Sequence, residues 1–216
     1  ANTTSGFSIV SYTGTGATAT VGHGLNSAPS IIIIKNKDVA DNWNVYNSSS
    51  GNNSHMHLNL NNAATGSSTY WNTTTPTSSV FSLGTSGAVN TSGNDFIAYC
   101  FADVQGYSKF GSYTGNGSAS DGTFVYTGFK PAFVMIKSTN AVKSWMILDD
   151  KRNPTGKSGA NTVDYRLLAD TSGTTSDNTG GMDFLSNGFK LYSTVTSTNK
   201  SGTNYIYMAF AEQPLV

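Results

Sequence analysis

Internal repetition constrains the fold of this sequence more than any other feature. The run Ser11-Tyr12-Thr13-Gly14 returns as Ser112-Tyr113-Thr114-Gly115, and the apolar residues 31–34 return at residues 133–136. Further matches keep the same order and nearly the same spacing; they are Gly24-Leu25 with Gly128-Phe129, Trp43 with Trp145, Phe81-Ser82-Leu83 with Phe189-Lys190-Leu191, Ser92-Gly93 with Ser201-Gly202, and residues 96–103 with residues 205–212. This pattern predicts a tandem duplication of a unit of about 100 residues.

The two repeats follow each other without a linker. We predict a first β repeat over residues 1–105 and a second over residues 106–216. Val104-Gln105-Gly106 is all that lies between one closing strand and the next opening strand, and so short a segment cannot act as a flexible tether. We therefore expect the repeats to pack rigidly against each other or to contribute to one continuous sandwich.

Composition and patterning favour strands throughout. Charged residues make up 11% of the chain, against roughly 25% in an ordinary soluble domain, and Glu, Arg and Leu are too scarce to support surface helices. Continuous apolar runs such as residues 31–34 are typical of strands covered on both faces, and residues 95–101 and 204–210 should form long central strands. We predict an all-β, antiparallel sandwich. Three polar stretches are placed on loops, with one possible helical turn; the loops are residues 48–54, 63–68 and 169–181, and the turn is residues 162–168.

Charge and hydropathy exclude several classes of partner. With 12 basic and 12 acidic residues the chain has no net charge, so it lacks the basic surplus that binds nucleic acid. No apolar run approaches the ~20 residues of a membrane-spanning helix, so we expect no membrane insertion. The single cysteine, Cys100, excludes an intramolecular disulfide and is expected to be a buried, inert thiol. A chain that starts at Ala1 fits a processed protein or a piece of a longer one.

The search for catalytic residues favours a protein that is not an enzyme. Asp149 and Asp150 are neighbours, and neighbours on a strand point to opposite faces, so a solvated pair is the better interpretation. His23 lies between two glycines, as a turn residue would, and no Gly-x-Ser-x-Gly elbow accompanies it. The Gly-Lys-Ser in residues 153–158 lacks the first glycine of a phosphate-binding loop and is interpreted as a turn. No cofactor is expected.

Two groups of residues carry side chains of the kinds that bind metals. His55 and His57 alternate on a presumed strand and would share a face, but two ligands do not make a site, and we interpret both as surface histidines. Asp170, Asp177 and Asp183 lie in a Gly-rich stretch with oxygen ligands that calcium prefers, in a spacing that fits no EF-hand. We predict no metal site, and leave calcium as the alternative for this stretch.

Aromatic residues on a polar background point to sugars. Trp43 and Trp145 occupy equivalent places in the repeats, so we expect them to anchor each core. Tyr70 and Trp71 have no counterpart and follow a polar segment, and together with Tyr46 they are the candidates for contact with a glycan. Exposed aromatic rings stack on the apolar face of a pyranose, while neighbouring polar groups bind its hydroxyls.

The repeated motifs carry a family resemblance. The Ser-Tyr-Thr-Gly-x-Gly opening, the Pro-led apolar strand ending in Lys35 or Lys137, the Trp, and the closing residues 205–212 resemble a repeated β domain of tail-fibre-like and other virion surface proteins of marine bacteriophages. The resemblance covers nearly the whole chain in both copies. It implies a jelly-roll or concanavalin-like sandwich and a place on the extracellular surface of a virion, and it brings no catalytic residues.

From this resemblance and the composition we predict a non-enzymatic structural protein of a bacteriophage virion, in a fibre, an appendage or a capsid decoration. Its expected partners are further copies of itself, as a homo-oligomer, other virion proteins, and a host-surface glycan. The alternative is a secreted or cell-surface carbohydrate-binding module of a bacterium.

Overall fold

A computed structural model describes residues 1–152 and 162–212, with the backbone alone at residues 162 and 176–180. Helix accounts for 2% of the chain and strand for 43%, and the sheets are antiparallel, which confirms the all-β prediction. The chain divides into two compact units. Unit 1 comprises Ala1–Leu60 and Ala64–Val104, and unit 2 comprises Asn61–Ala63 and Gln105–Val216.

Unit 1 contains eight of the strands and one short helix. They are β1 (Phe7–Thr13), β2 (Ala19–Gly22), β3 (Ile31–Asn36), β4 (Asn44–Asn47), β5 (Ser54–His57), β6 (Thr65–Gly66), β7 (Val80–Leu83), α1 (Gly87–Asn90) and β8 (Asp95–Phe101). Six strands form one antiparallel sheet in the order β1-β8-β3-β4-β5-β6, and β2 pairs with β7 as a separate ribbon. The four isoleucines of β3 are all buried, because this strand lies inside the sheet with a covered face on each side.

Unit 2 contains the other eight strands. They are β9 (Ser108–Thr114), β10 (Phe124–Tyr126), β11 (Pro131–Ser138), β12 (Met146–Asp149), β13 (Thr162–Leu168), β14 (Ser176–Leu185), β15 (Gly188–Leu191) and β16 (Asn204–Ala211). All eight belong to one antiparallel sheet, in the order β10-β15-β14-β13-β12-β11-β16-β9. The prediction of a helical turn at residues 162–168 is therefore wrong, and the loop predicted at residues 169–181 is correct only as far as residue 175. Strand β13 replaces the turn, and β14 begins inside the expected loop.

The closing strand of each unit is central, as the sequence predicts. In unit 1, β8 lies between β1 and β3; in unit 2, β16 lies between β9 and β11. The strands β2 and β7 pair with Val21 opposite Phe81, and β10 and β15 pair with Val125 opposite Phe189. These shared pairings place equivalent residues in equivalent registers.

Each unit has its own hydrophobic core. In unit 1 the core residues are Leu25, Ile32, Ile34, Tyr46, Trp71, Phe81, Leu83, Val89, Phe96, Ala98, Cys100 and Ala102. In unit 2 they are Val125, Phe129, Val134, Ile136, Met146, Leu148, Val163, Met182, Phe184, Phe189, Leu191, Tyr205, Tyr207 and Ala209. Trp145 is buried at 1% exposure, as expected of a repeat anchor, whereas its counterpart Trp43 is half-buried against Tyr99.

A buried asparagine closes unit 1 around the repeated opening motif. The Asn90 side chain accepts a hydrogen bond from the Thr15 N–H at 2.8 Å, and it donates to the carbonyls of Ala17 at 2.6 Å and Gly84 at 2.8 Å. Gly14 is required beside it, because a Cβ there would come within 2.2 Å of the Thr91 carbonyl oxygen. We call this arrangement the Asn90 clasp.

Unit 2 is closed by the same set of contacts around Asn199. Its side chain accepts the Asn116 N–H at 3.1 Å and donates to the carbonyls of Ser118 at 3.2 Å and Ser193 at 2.8 Å. A Cβ on Gly115 would lie 2.4 Å from the Lys200 carbonyl oxygen. This is the Asn199 clasp, and it explains physically why the opening motif needs its glycine.

The motif tyrosine makes the same contacts in both units. Tyr12 stacks on Phe96 with ring centroids 5.2 Å apart, and its hydroxyl donates to the Val89 carbonyl at 2.7 Å. Tyr113 stacks on Tyr205 at 4.9 Å and donates to the Thr198 carbonyl at 2.7 Å. Both phenols therefore donate to the segment just before the closing strand, which is helix α1 in unit 1.

Candidate functional site

Two of the three predicted glycan contacts are core residues. Tyr46 and Trp71 are each 1% exposed and meet edge to face, with ring centroids 5.6 Å apart. The Trp71 indole N–H donates to the Ser54 carbonyl at 2.8 Å. The expectation that these rings are exposed is wrong, since Trp71 anchors a polar segment to the core and has no ring face left for a ligand.

Tyr70 reaches the surface, but one face of its ring is already occupied. The ring is half-buried and stacks on His55 with centroids 3.7 Å apart and planes 8° apart. The burial that accompanies this contact raises the pKa of the phenol. A sugar could approach Tyr70 only on the outer face, so its role in glycan contact stays a prediction.

The two histidines of β5 are less exposed than the sequence indicated. His55 is 7% exposed, so its interpretation as a surface histidine is wrong, and its ring lies 5.2 Å from that of half-buried His57. Burial lowers the pKa of His55 to about 4, helped by the neighbouring His57, and burial also lowers the pKa of His57. The pair is therefore uncharged at neutral pH. Within residues 1–152 and 162–212, the side chains described contain no group of three or more potential metal ligands.

The aspartates considered for calcium have other roles where their side chains are described. Asp170 accepts a hydrogen bond from the Trp145 N–H at 3.0 Å, as Asn59 does from the Trp43 N–H at 2.9 Å in unit 1. Asp183 lies on β14 opposite Lys190. The side chain of Asp177 and the Gly-Lys-Ser stretch at residues 153–158 lie outside the described residues.

The remaining candidates act as structural groups. Asp149 accepts the backbone N–H groups of Lys151 and Arg152 and pairs with the Arg152 guanidinium at 2.6 Å. His23 is buried, with its Nδ1 accepting the Leu25 N–H at 3.2 Å, which agrees with the turn interpretation. Cys100 is buried as predicted, and burial raises the pKa of its thiol to about 12.

A shallow polar concavity lies on the outward side of the β2–β7 ribbon. It has a volume of about 300 Å³ and is lined by Thr18, Ala19, Thr20, Asn72 and Ser82. The lining offers hydroxyl and amide groups, which donate and accept hydrogen bonds, and methyl groups, which are apolar. Such a surface suits a hydroxylated ligand or ordered water.

The segment that supplies Asn72 to the concavity is strained. Asn72 and Thr73 both have left-handed backbones, with φ of 52° and 47°. Asparagine tolerates this region, but a β-branched threonine rarely adopts it. Residues held in such conformations cluster at ligand-binding sites, where the surrounding structure enforces them. Here the buried side chain of the preceding residue, Trp71, fixes the backbone that leads into Asn72 and Thr73.

Sequence reasoning missed the clasp asparagines and the Asn72 segment. A signal for the clasp was available, because Asn90-Thr91-Ser92-Gly93 and Asn199-Lys200-Ser201-Gly202 share an Asn-x-Ser-Gly pattern just before the closing strand. No comparable signal marks Asn72, whose conformation depends on the packing of its neighbour.

No helix within the described residues is long and apolar enough to cross a membrane. Comparison with curated proteins and with solved structures gave no match. A family model described as a domain of unknown function, DUF7483, matches residues 1–214 and so spans nearly the whole chain. The chain therefore belongs to the DUF7483 domain family.

Proposed function

We propose that this chain is a tandem duplication of one antiparallel β-sandwich module, of the jelly-roll or concanavalin-like type, whose two copies pack without a linker. The observation that carries this proposal is the recurrence of the clasp. Asn90 and Asn199 bind equivalent backbone groups, and Gly14 and Gly115 admit equivalent carbonyls. Independent origins would not place the same side chain on the same contacts twice.

A rigid module repeated in tandem suits a structural role. On this basis, and on the resemblance of its motifs, the chain acts as a non-enzymatic bacteriophage virion protein in a fibre, an appendage or a capsid decoration. It works by assembly with itself or other virion proteins and by contact with a host-surface glycan. The concavity beside Asn72 supports contact with a hydroxylated ligand, because its lining is made of hydroxyl, amide and methyl groups.

The scarcity of charged residues supports a location on the outside of a particle in salt water. In 1 M salt the Debye length is about 3 Å, so surface ion pairs contribute little to stability and to solubility. Hydroxyl and amide groups keep a surface hydrated without that dependence. A chain with 11% charged residues fits this setting.

Size-exclusion chromatography with light scattering on the full chain tests the proposal. We expect a virion component to form a stable trimer or other closed assembly. The assembly should be unchanged between about 0.1 M and about 0.5 M NaCl, because salt in this range screens surface charges and this chain has few of them. A monomer that binds a glycan would instead support the alternative, a secreted or cell-surface carbohydrate-binding module. A monomer that binds none would contradict both.

A further inference from the structure

We propose that the outward face of the β10–β15 strand pair in unit 2 binds a neutral, pyranose-based polysaccharide through Phe124 and Tyr126. This inference rests on the proposed function, in which the chain contacts glycans, and it adds a contact in unit 2 that is separate from the concavity of unit 1. Both rings lie on the edge strand β10, where they alternate with the core residue Val125. Phe124 is 44% exposed and Tyr126 is 65% exposed, so both present ring surface to solvent.

Two glycines leave space for the rings beside the backbone. Gly188 lies opposite Tyr126 in the ladder, and a Cβ there would come within 3.0 Å of the Phe124 ring. A Cβ on Gly128 would lie 3.6 Å from the Tyr126 hydroxyl oxygen. Each ring therefore rests over a residue that has no side chain. Such rings lose little freedom on binding, because each has only two side-chain torsions to fix.

Charged side chains lie beside the rings, and their charges favour a neutral ligand over an anionic one. Lys190 is opposite Phe124 in the ladder, forms a 2.9 Å ion pair with exposed Asp121, and faces Asp183 across the β14–β15 pair. Its ammonium also lies 5.7 Å from the centre of the Tyr192 ring. The Asp121 carboxylate neutralises this ammonium, and Asp183, opposite Lys190 in the ladder, places a second carboxylate on the same face of the sheet. Carboxylates accept hydrogen bonds from sugar hydroxyls, and the second one repels an anionic chain such as a polyuronate.

Unit 1 provides an internal comparison for this face. The core pair Val21–Phe81 matches Val125–Phe189, but the outward positions that correspond to Phe124 and Lys190 hold Thr20 and Ser82. Gly22 corresponds to Tyr126 in the same register. Since the ribbon forms with small side chains in unit 1, the aromatic rings of unit 2 are not required to pair these strands. They add an exposed stacking surface of the kind that binds the apolar face of a pyranose.

Affinity electrophoresis of the full chain tests the proposal, with dextran, a neutral galactan or alginate cast in the gel. We expect retardation by a neutral polysaccharide. The variants Phe124→Ala and Tyr126→Ala should each weaken that retardation at least tenfold. The control variants Ile9→Ala and Val142→Ala remove apolar side chains of similar exposure, 53% and 61%, elsewhere on the chain, and should not change it.

Circular dichroism checks that each variant is folded; should Phe124→Ala unfold, Tyr126→Ala, with the more exposed ring, carries the test. Retention by alginate alone, or undiminished retention of folded Tyr126→Ala, would overturn the inference. So would a change of oligomeric state in that variant, since the rings would then form a protein interface. If the unmutated chain forms a closed assembly but binds no neutral polysaccharide, this inference is overturned and the virion proposal stands. If the unmutated chain is a monomer that binds such a polysaccharide, this inference stands and the virion proposal is overturned.

Discussion

The Asn90 clasp makes a quantitative prediction about stability. Asn90→Ala removes the acceptor for the Thr15 N–H and the donors to the carbonyls of Ala17 and Gly84. Thr15 and Ala17 are exposed, so water can replace the asparagine there. Gly84 is buried, so its carbonyl loses a partner in a place that water reaches poorly.

The expected loss follows from these three groups. A hydrogen bond whose groups can be rehydrated contributes about 1 kcal/mol net, and a buried group left without a partner costs roughly 1–3 kcal/mol. Two such hydrogen bonds and a buried carbonyl at the lower end of its range together predict that Asn90→Ala lowers the free energy of unfolding of unit 1 by about 3 kcal/mol. For a unit of this size that corresponds to a fall in Tm of roughly 12–24 °C.

Differential scanning calorimetry of the full chain measures the effect. Asn53→Ala is the matched control: it makes the same chemical change at an exposed position in unit 1 and should shift stability by less than about 0.5 kcal/mol. Asn199→Ala should destabilise unit 2 by a similar amount to Asn90→Ala in unit 1. An Asn90→Ala transition that coincides with that of Asn53→Ala would refute the idea that the clasp closes the module.

Three further predictions concern buried groups. Folding lowers the pKa of His55 from 6.5 to about 4, so the unfolded chain takes up a proton before the folded chain does as the pH falls. The stabilisation should be complete above pH 6.5, and the free energy of unfolding should fall by about 2–3 kcal/mol towards pH 4. Urea unfolding of His55→Phe should show a flatter dependence of stability on pH over that range. Gly115→Ala should destabilise unit 2 by more than about 2 kcal/mol in the same assay, whereas Gly173→Ala, whose added Cβ meets nothing closer than 3.6 Å, should not. The thiol of Cys100, with its pKa raised to about 12, should react with a thiol reagent at pH 8 only after unfolding, and rapid labelling of the native chain would contradict its burial.

The central strands could be predicted because their signal is local. Residues 31–34 are apolar without interruption, and a strand that is buried on both faces needs only that run and a preceding turn. The strand β14 could not be predicted in the same way. Its first half is polar and Gly-rich, and it pairs because β13 and β15 flank it on both sides. Tertiary pairing here overrides local propensity.

The error at Trp71 has a physical cause too. Polar neighbours on both sides indicated a surface loop, but burial depends on where one side chain points. Trp71 points into the core and uses its indole N–H on a backbone carbonyl, so the loop around it stays polar while its anchor is apolar. Phe124 and Tyr126 on β10 flank the apolar Val125, and so short an apolar run does not by itself show that the two rings are exposed.

The β2–β7 and β10–β15 pairs differ in a way that limits the possible roles of the exposed rings. If the repeats arose by duplication, positions that the fold requires should keep their residue type, as Val21 and Val125 have. The outward positions differ instead, from a threonine in unit 1 to Phe124 in unit 2. A solvent-exposed aromatic ring adds little to the core and exposes apolar surface to association. We therefore expect such a ring to persist only where binding offsets that cost. On this argument, the two copies differ in sequence mainly at the surfaces that contact partners.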